Sequence, residues 1–214
     1  MRILGTSVLV LLAGSALSQT TYDAFTDGKK IGSVSFQQKL AADGSKSVDV
    51  RMELSAGSQK LTLRTQNTYD AEGNPLRKFL DANIPGGKLQ KQIVATFDKN
   101  GANLVLLEGG KRTTRQIPLV ESAPRANSSE FWMVRDRPKE GDSVRCYVFN
   151  MDALAWRLQT VHFRGAKTIE IGGKKVVAYL IETIGESSSK AYVDEKGVPW
   201  LIETSTTMLR RTGK

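Results

Sequence analysis

The chain has one histidine, His162, and one cysteine, Cys146. A histidine-based metal site would need carboxylates or thiols at ligand spacing beside His162. No H-E-x-x-H, C-x-x-C or acidic calcium loop occurs. No metal and no cofactor is expected, and His162 in Thr160-Val161-His162-Phe163 reads as an ordinary strand residue. Acyl transfer would need a nucleophile elbow. Gly141-Asp142-Ser143-Val144-Arg145 lacks the last glycine of G-x-S-x-G. Paired carboxylates can hydrolyse glycosidic bonds, and Glu182 and Glu203 lie on late strands. Their spacing does not bring them together, so ion pairing with Lys or Arg is the plainer reading. Gly-Gly-Lys at 86–88, 109–111 and 172–174 lacks the frame of a P-loop and reads as hairpin turns. Asn127-Ser128-Ser129 matches a glycosylation sequon, which has meaning only in a host that glycosylates such sites.

The residues left to carry function are aromatic. Phe131 and Trp132 fall on the best helix candidate, and Trp156 and Trp200 on late strands. Large aromatics on an amphipathic cap over a bent sheet can line an apolar ligand cavity. These four are the candidate ligand-binding residues; the competing reading is that they are core. Cys146 lies in phase with Val144 and Val148, as a buried, inert thiol would. One thiol makes no internal bridge, so the core must hold the fold unaided.

These residues must be positioned by strands. Turn signals recur at short, even intervals: Ala42-Asp43-Gly44, Ala56-Gly57-Ser58, Glu72-Gly73-Asn74-Pro75, Pro85-Gly86-Gly87, Lys99-Asn100-Gly101, Glu108-Gly109-Gly110, Ile171-Gly172-Gly173 and Glu195-Lys196-Gly197. Between them the chain is rich in Val, Ile, Leu, Thr, Phe and Tyr. In Val48 to Leu54 the even positions are apolar and the odd ones charged, the signature of a strand with one wet face. Leu104–Leu107 and Val176–Ile181 are apolar on both faces, so they are expected to be covered on both sides or to line a cavity. Further strands are expected at Thr21–Phe25, Leu76–Leu80, Leu89–Phe97, Arg115–Leu119, Val144–Phe149, Ala155–Phe163, Lys190–Val193 and Trp200–Met208. A short helix is expected from Asn127 or Ser128, with Glu130 in its first turn and Pro138 closing it. A weaker candidate, Met151–Leu158, reads as strand in its second half. The fold class is therefore mainly β: a strongly curved antiparallel meander sheet or incomplete barrel of roughly ten or more strands with one short helix.

Residues 1–18 read as a signal peptide. Arg2 supplies the positive start, Val8 to Leu12 the apolar stretch, and Ala16-Leu17-Ser18 the small residues before a cut at Gln19. Residues 19–214 are expected to form a single β domain, exported to the periplasm or outside the cell. No later segment is apolar enough to span a membrane as a helix. The formal charge of +9 favours anionic partners such as phospholipid headgroups, envelope polymers or acidic proteins, and export argues against nucleic acid.

Two stretches carry a resemblance. Lys29-Lys30-Ile31-Gly32-Ser33-Val34-Ser35-Phe36 is similar to the opening of an uncharacterised, domain-of-unknown-function family of exported bacterial β proteins. Val94-Ala95-Thr96-Phe97-Asp98 and Ala191 to Pro199 resemble its later strand-turn-strand motifs. The layout also resembles the lipoprotein-carrier (LolA/LolB-like) fold. That resemblance implies a curved antiparallel sheet with helices across its concave side, holding lipid or acyl chains. It marks no functional residue. The expected function is non-enzymatic: an exported envelope domain binding a hydrophobic or amphiphilic ligand such as a lipid. The alternatives are an envelope protein-interaction or scaffolding module and a carboxylate-dependent hydrolase.

Overall fold

The computed structural model describes residues 18–56, 59–84, 89–120 and 131–212. The signal segment up to residue 17, the turns at Gly57-Ser58 and Pro85-Gly86-Gly87, the sequon and the expected helix cap at Asn127 or Ser128 lie outside these residues. The chain divides into two compact units. One holds β1 (Ser18–Thr26), β2 (Lys29–Leu40), β3 (Lys46–Ala56), β4 (Gln59–Tyr69), β5 (Pro75–Ile84), β6 (Leu89–Asp98), β7 (Gly101–Glu108) and β8 (Lys111–Pro118). The other holds α1 (Trp132–Asp136), β9 (Ser143–Asn150), β10 (Ala155–Ile171), β11 (Lys174–Ile184), β12 (Ser189–Val193), β13 (Pro199–Thr204) and β14 (Met208–Thr212). The architecture is mainly β and antiparallel with one short helix, as the turn rhythm implies.

In the N-terminal unit each strand pairs with the next in sequence, from β1 to β8, through antiparallel hairpins. Aspartates shape several turns. Asp98 Oδ1 accepts hydrogen bonds from the Asn100 and Gly101 amides, and Asp43 Oδ1 from the Ser45 amide. These side chains replace a backbone partner at the point where the chain must reverse. Cross-strand register places Phe36, Val50, Thr65, Leu80, Ile93 and Leu106 in one row. Phe36, Val50, Leu80 and Ile93 in that row are buried, and Tyr22 packs edge-on to Phe36 with ring centroids 5.0 Å apart. The alternation seen in Val48–Leu54 therefore sorts this face from its opposite, where Asp49 binds Arg64 and Gln66.

In the C-terminal unit the order is β14-β13-β12-β11-β10-β9. Phe163, Ile181, Ala191, Ile202 and Leu209 stand in one cross-strand row and are all buried. Cys146 is buried as its phase predicts, and sits opposite Gln159, whose amide approaches its sulfur at 3.9 Å.

Several expectations need correction. The strand read at Trp200–Met208 is two strands. Thr204 Oγ1 accepts hydrogen bonds from the Thr206 and Thr207 amides and turns the chain between β13 and β14. Its β-branched residues carry strand propensity, but the hydroxyl competes for the backbone. β10 runs on to Ile171, past Phe163, through a bulge in its register with β11. Gly165 in that bulge has φ +71°, and the Glu140 side chain occupies the place a Cβ would take. The helix begins at Trp132, with Phe131 as its N-cap and no side-chain cap. It ends at Arg137, in the left-handed region, just before Pro138. Coverage on both faces also fails locally: Val177 is 66% exposed and Leu107 36%.

Candidate functional site

Register across the C-terminal unit sorts its side chains into two faces. Phe163, Ile181 and Ile202 lie on the sealed face. The other carries, in one row across β9 to β13, Ser143, His162, Glu182, Lys190 and Glu203. A second row runs Leu180, Tyr192, Leu201 and Arg210. Further along β9 and β10 stand the pairs Tyr147–Leu158 and Phe149–Trp156. Leu158, Leu180, Tyr192 and Leu201 are half-buried, unlike the buried row opposite. The sheet of this unit is thus apolar on both faces but sealed on one.

The polar row contains the residue types of a Ser–His–acid triad in adjacent positions. Its hydrogen bonds do not follow that logic. Glu182 Oε2 accepts from Arg164 Nε at 2.7 Å, and Lys190 Nζ lies 3.7 Å from Glu182 Oε1. Among the described residues no hydrogen bond links Ser143, His162 and Glu182. The Arg164 hydrogen bond holds the Glu182 carboxyl below its ordinary value, with Lys190 adding to it. A general acid needs the opposite shift. Glu203 stands beyond Lys190, two strand spacings from Glu182, or roughly 10 Å. Burial and the Glu203 charge push the Tyr192 phenol up. Within the row Lys190 stands between two carboxylates, Glu182 and Glu203, and pairs with Glu182. Among the described residues no group of three His, Cys, Asp or Glu side chains is placed to hold a metal.

The four aromatic candidates are placed as follows. Phe131 and Trp132 are buried at the start of α1, together with Met133. Trp156 is half-buried on β10 and packs edge-on to Phe149, with centroids 5.3 Å apart. Trp200 is half-buried on β13, with the Arg211 guanidinium 4.5 Å above its ring; Arg211 also reaches Asp194 at 3.3 Å. Register puts Trp156 on the half-open face with His162, whereas Trp200 falls in the register shift between β12 and β13, where Tyr192 pairs with Leu201 and Val193 with Pro199, and has no cross-strand partner of its own. Two intervening strands, β11 and β12, separate the strands that carry them. The structure sets Phe131 beside Trp132 and packs Trp156 on Phe149, and leaves two strands between Trp156 and Trp200.

Sequence reading missed that Leu158, Leu180 and Leu201 share one face, on either side of the Glu182 row. The legible signal was the two-sided apolar run Val176–Ile181. Register aligns Leu180 with Leu201 through Tyr192 and sets Leu158 on the other side of the His162–Glu182 row, and register is not written locally.

No protein-family model matches the chain, and no curated protein matches it. Among solved structures the chain is similar to a "Beta-barrel-like Protein of Domain of Unknown Function DUF1849 from Brucella abortus". The match has a TM-score of 0.62 at 11% sequence identity and covers 94% of this chain and 97% of that one. At this identity the likeness is one of fold: an antiparallel, barrel-like β architecture.

Proposed function

We propose that this chain is a non-enzymatic, exported cell-envelope domain that binds a hydrophobic or amphiphilic ligand, in the manner of lipoprotein carriers. The observation that carries the reading is the second apolar face of the C-terminal unit. Trp156, Leu158, Leu180 and Leu201 are held there half-exposed, although a purely structural sheet has no need of apolar side chains on its wet side. The Arg164–Glu182–Lys190 stripe crosses this face and supplies cations beside the apolar residues, a pairing suited to an acyl chain with an anionic head. The depressed Glu182 carboxyl supports binding over acid–base catalysis. Residues 1–18 support export with cleavage before Gln19.

Native mass spectrometry and solvent extraction of protein purified from its own host test the ligand. Co-purifying acyl-chain species that leave on extraction are expected. Protein that carries none, and that quenches or enhances no fluorescent fatty acid on titration, defeats the reading. N-terminal sequencing of the exported protein is expected to begin at Gln19.

A further inference from the structure

β8 is unlike every other strand of the N-terminal unit. Among the described residues it pairs only with β7 and stands at the end of the strand order. Its residues Lys111 to Gln116 are all exposed, on both faces alike. It carries Lys111, Arg112 and Arg115 and no carboxylate. None of these three cations is in an ion pair among the described residues. Elsewhere in the unit some cations are matched, Arg64 with Asp49 at 2.7 Å and Lys30 with Asp23 at 2.6 Å, but no other strand of the unit joins three cations, no carboxylate and an exposed run on both faces.

From this we infer that the β8 edge is a docking strand for an extended, acidic segment of a partner protein, taken up by strand addition. An edge strand offers a row of backbone donors and acceptors to an incoming chain. Side chains of an added strand alternate between the faces. On one face they would meet Arg112, and on the other Lys111 and Arg115. Leu107 and Leu104 stand opposite Arg112 and Arg115 on β7, giving the cation stems apolar neighbours. The same charges reject a second copy of this edge. Antiparallel pairing of two β8 strands about Thr113 and Thr114 sets Arg112 against Arg115, and like charges directly opposite are destabilising. Edge cations that block self-association thereby select an acidic occupant.

The test uses the whole exported chain and three labelled peptides. One alternates glutamate with valine, one is its lysine twin, and one keeps the glutamates but replaces each valine by proline, which cannot extend a sheet. Anionic phosphatidylglycerol vesicles form a fourth arm. Fluorescence anisotropy is expected to show the acidic peptide at least about tenfold tighter than both controls, with binding weakened by salt. Hydrogen exchange is expected to slow at residues 111–118 on binding. The double variant Arg112→Glu/Arg115→Glu, confined to exposed side chains, is expected to keep its circular dichroism spectrum and to prefer the lysine peptide. Three results each overturn the proposal. One is equal binding of the proline peptide, which would leave charge alone as the cause. Another is unchanged exchange across 111–118. The third is vesicle binding with no peptide binding.

Discussion

The two units treat the second face of their sheets differently. In the N-terminal unit that face is dominated by polar and charged contacts. Asp49 Oδ2 accepts from Arg64 and Gln66 at 2.7 and 2.8 Å, and Arg51 lies 3.5 Å from Asp49 Oδ1. Its apolar residues include the stripe Phe79, Val94 and Val105, with Leu107 in the next row. In the C-terminal unit leucines and aromatics share the second face with the Glu182 stripe. The second face is thus mostly polar in the N-terminal unit and mixes leucines and aromatics with charge in the C-terminal one. That difference locates the proposed ligand surface on β10, β11 and β13.

The comparison first needs both units to have one sealed face. Ile93→Ala and Ile181→Ala are each expected to cost about 2–5 kcal/mol, since both side chains are fully buried. Urea denaturation checks this, and a loss under about 1 kcal/mol in either unit would show that its face is not packed. Backbone crowding should separate the units next. A Cβ on Gly32 would run into the Glu53 carbonyl oxygen, a backbone atom, whereas on Gly165 it meets the flexible Glu140 side chain. Gly32→Ala is expected to cost roughly 3 kcal/mol. Gly165→Ala should cost about 1 kcal/mol, mainly for its left-handed backbone. Thermal unfolding of both variants gives the ranking.

Ligand uptake sharpens the contrast directly. Trp156→Ala or Leu180→Gln should weaken a fluorescent fatty acid roughly tenfold, and Val105→Gln should leave it unchanged. Equal losses from all three would erase the distinction between the units. The smallest effect concerns acid. Hydrogen bonds from Arg64 and Gln66 outweigh burial at Asp49, so its carboxyl, like that of Glu182, lies below its ordinary value. A depressed carboxyl adds stability above its unfolded value, lost as pH falls through the folded one. Asp49→Asn and Glu182→Gln should therefore each flatten the acid limb of stability below about pH 4. The expected change is up to about 1 kcal/mol, larger for Asp49 with its three donors.

Much of this molecule was legible in its residues. The alternation of Val48 to Leu54 is local, because a pleated strand turns successive side chains to opposite faces. The glycine turns are equally local: Gly109, Gly110, Gly172 and Gly173 all adopt positive φ, which few other residues accept. The Thr204 turn was illegible because its β-branched residues satisfy strand propensity and turn chemistry alike. The placement of Trp156, Trp200, Phe131 and Trp132 was illegible for another reason. Aromatic identity says that a side chain will seek cover, but not on which face of which strand.

What the amino acids determined alone is most of the strand inventory, the antiparallel meander and the buried thiol, because each follows from neighbours within a few positions. Tertiary structure decided which residues meet across strands. It placed His162 between Ser143 and Glu182, gave Glu182 to Arg164, and parted Trp156 from Trp200. Pairing register is a property of two strands together, and a shift of one residue would exchange every face.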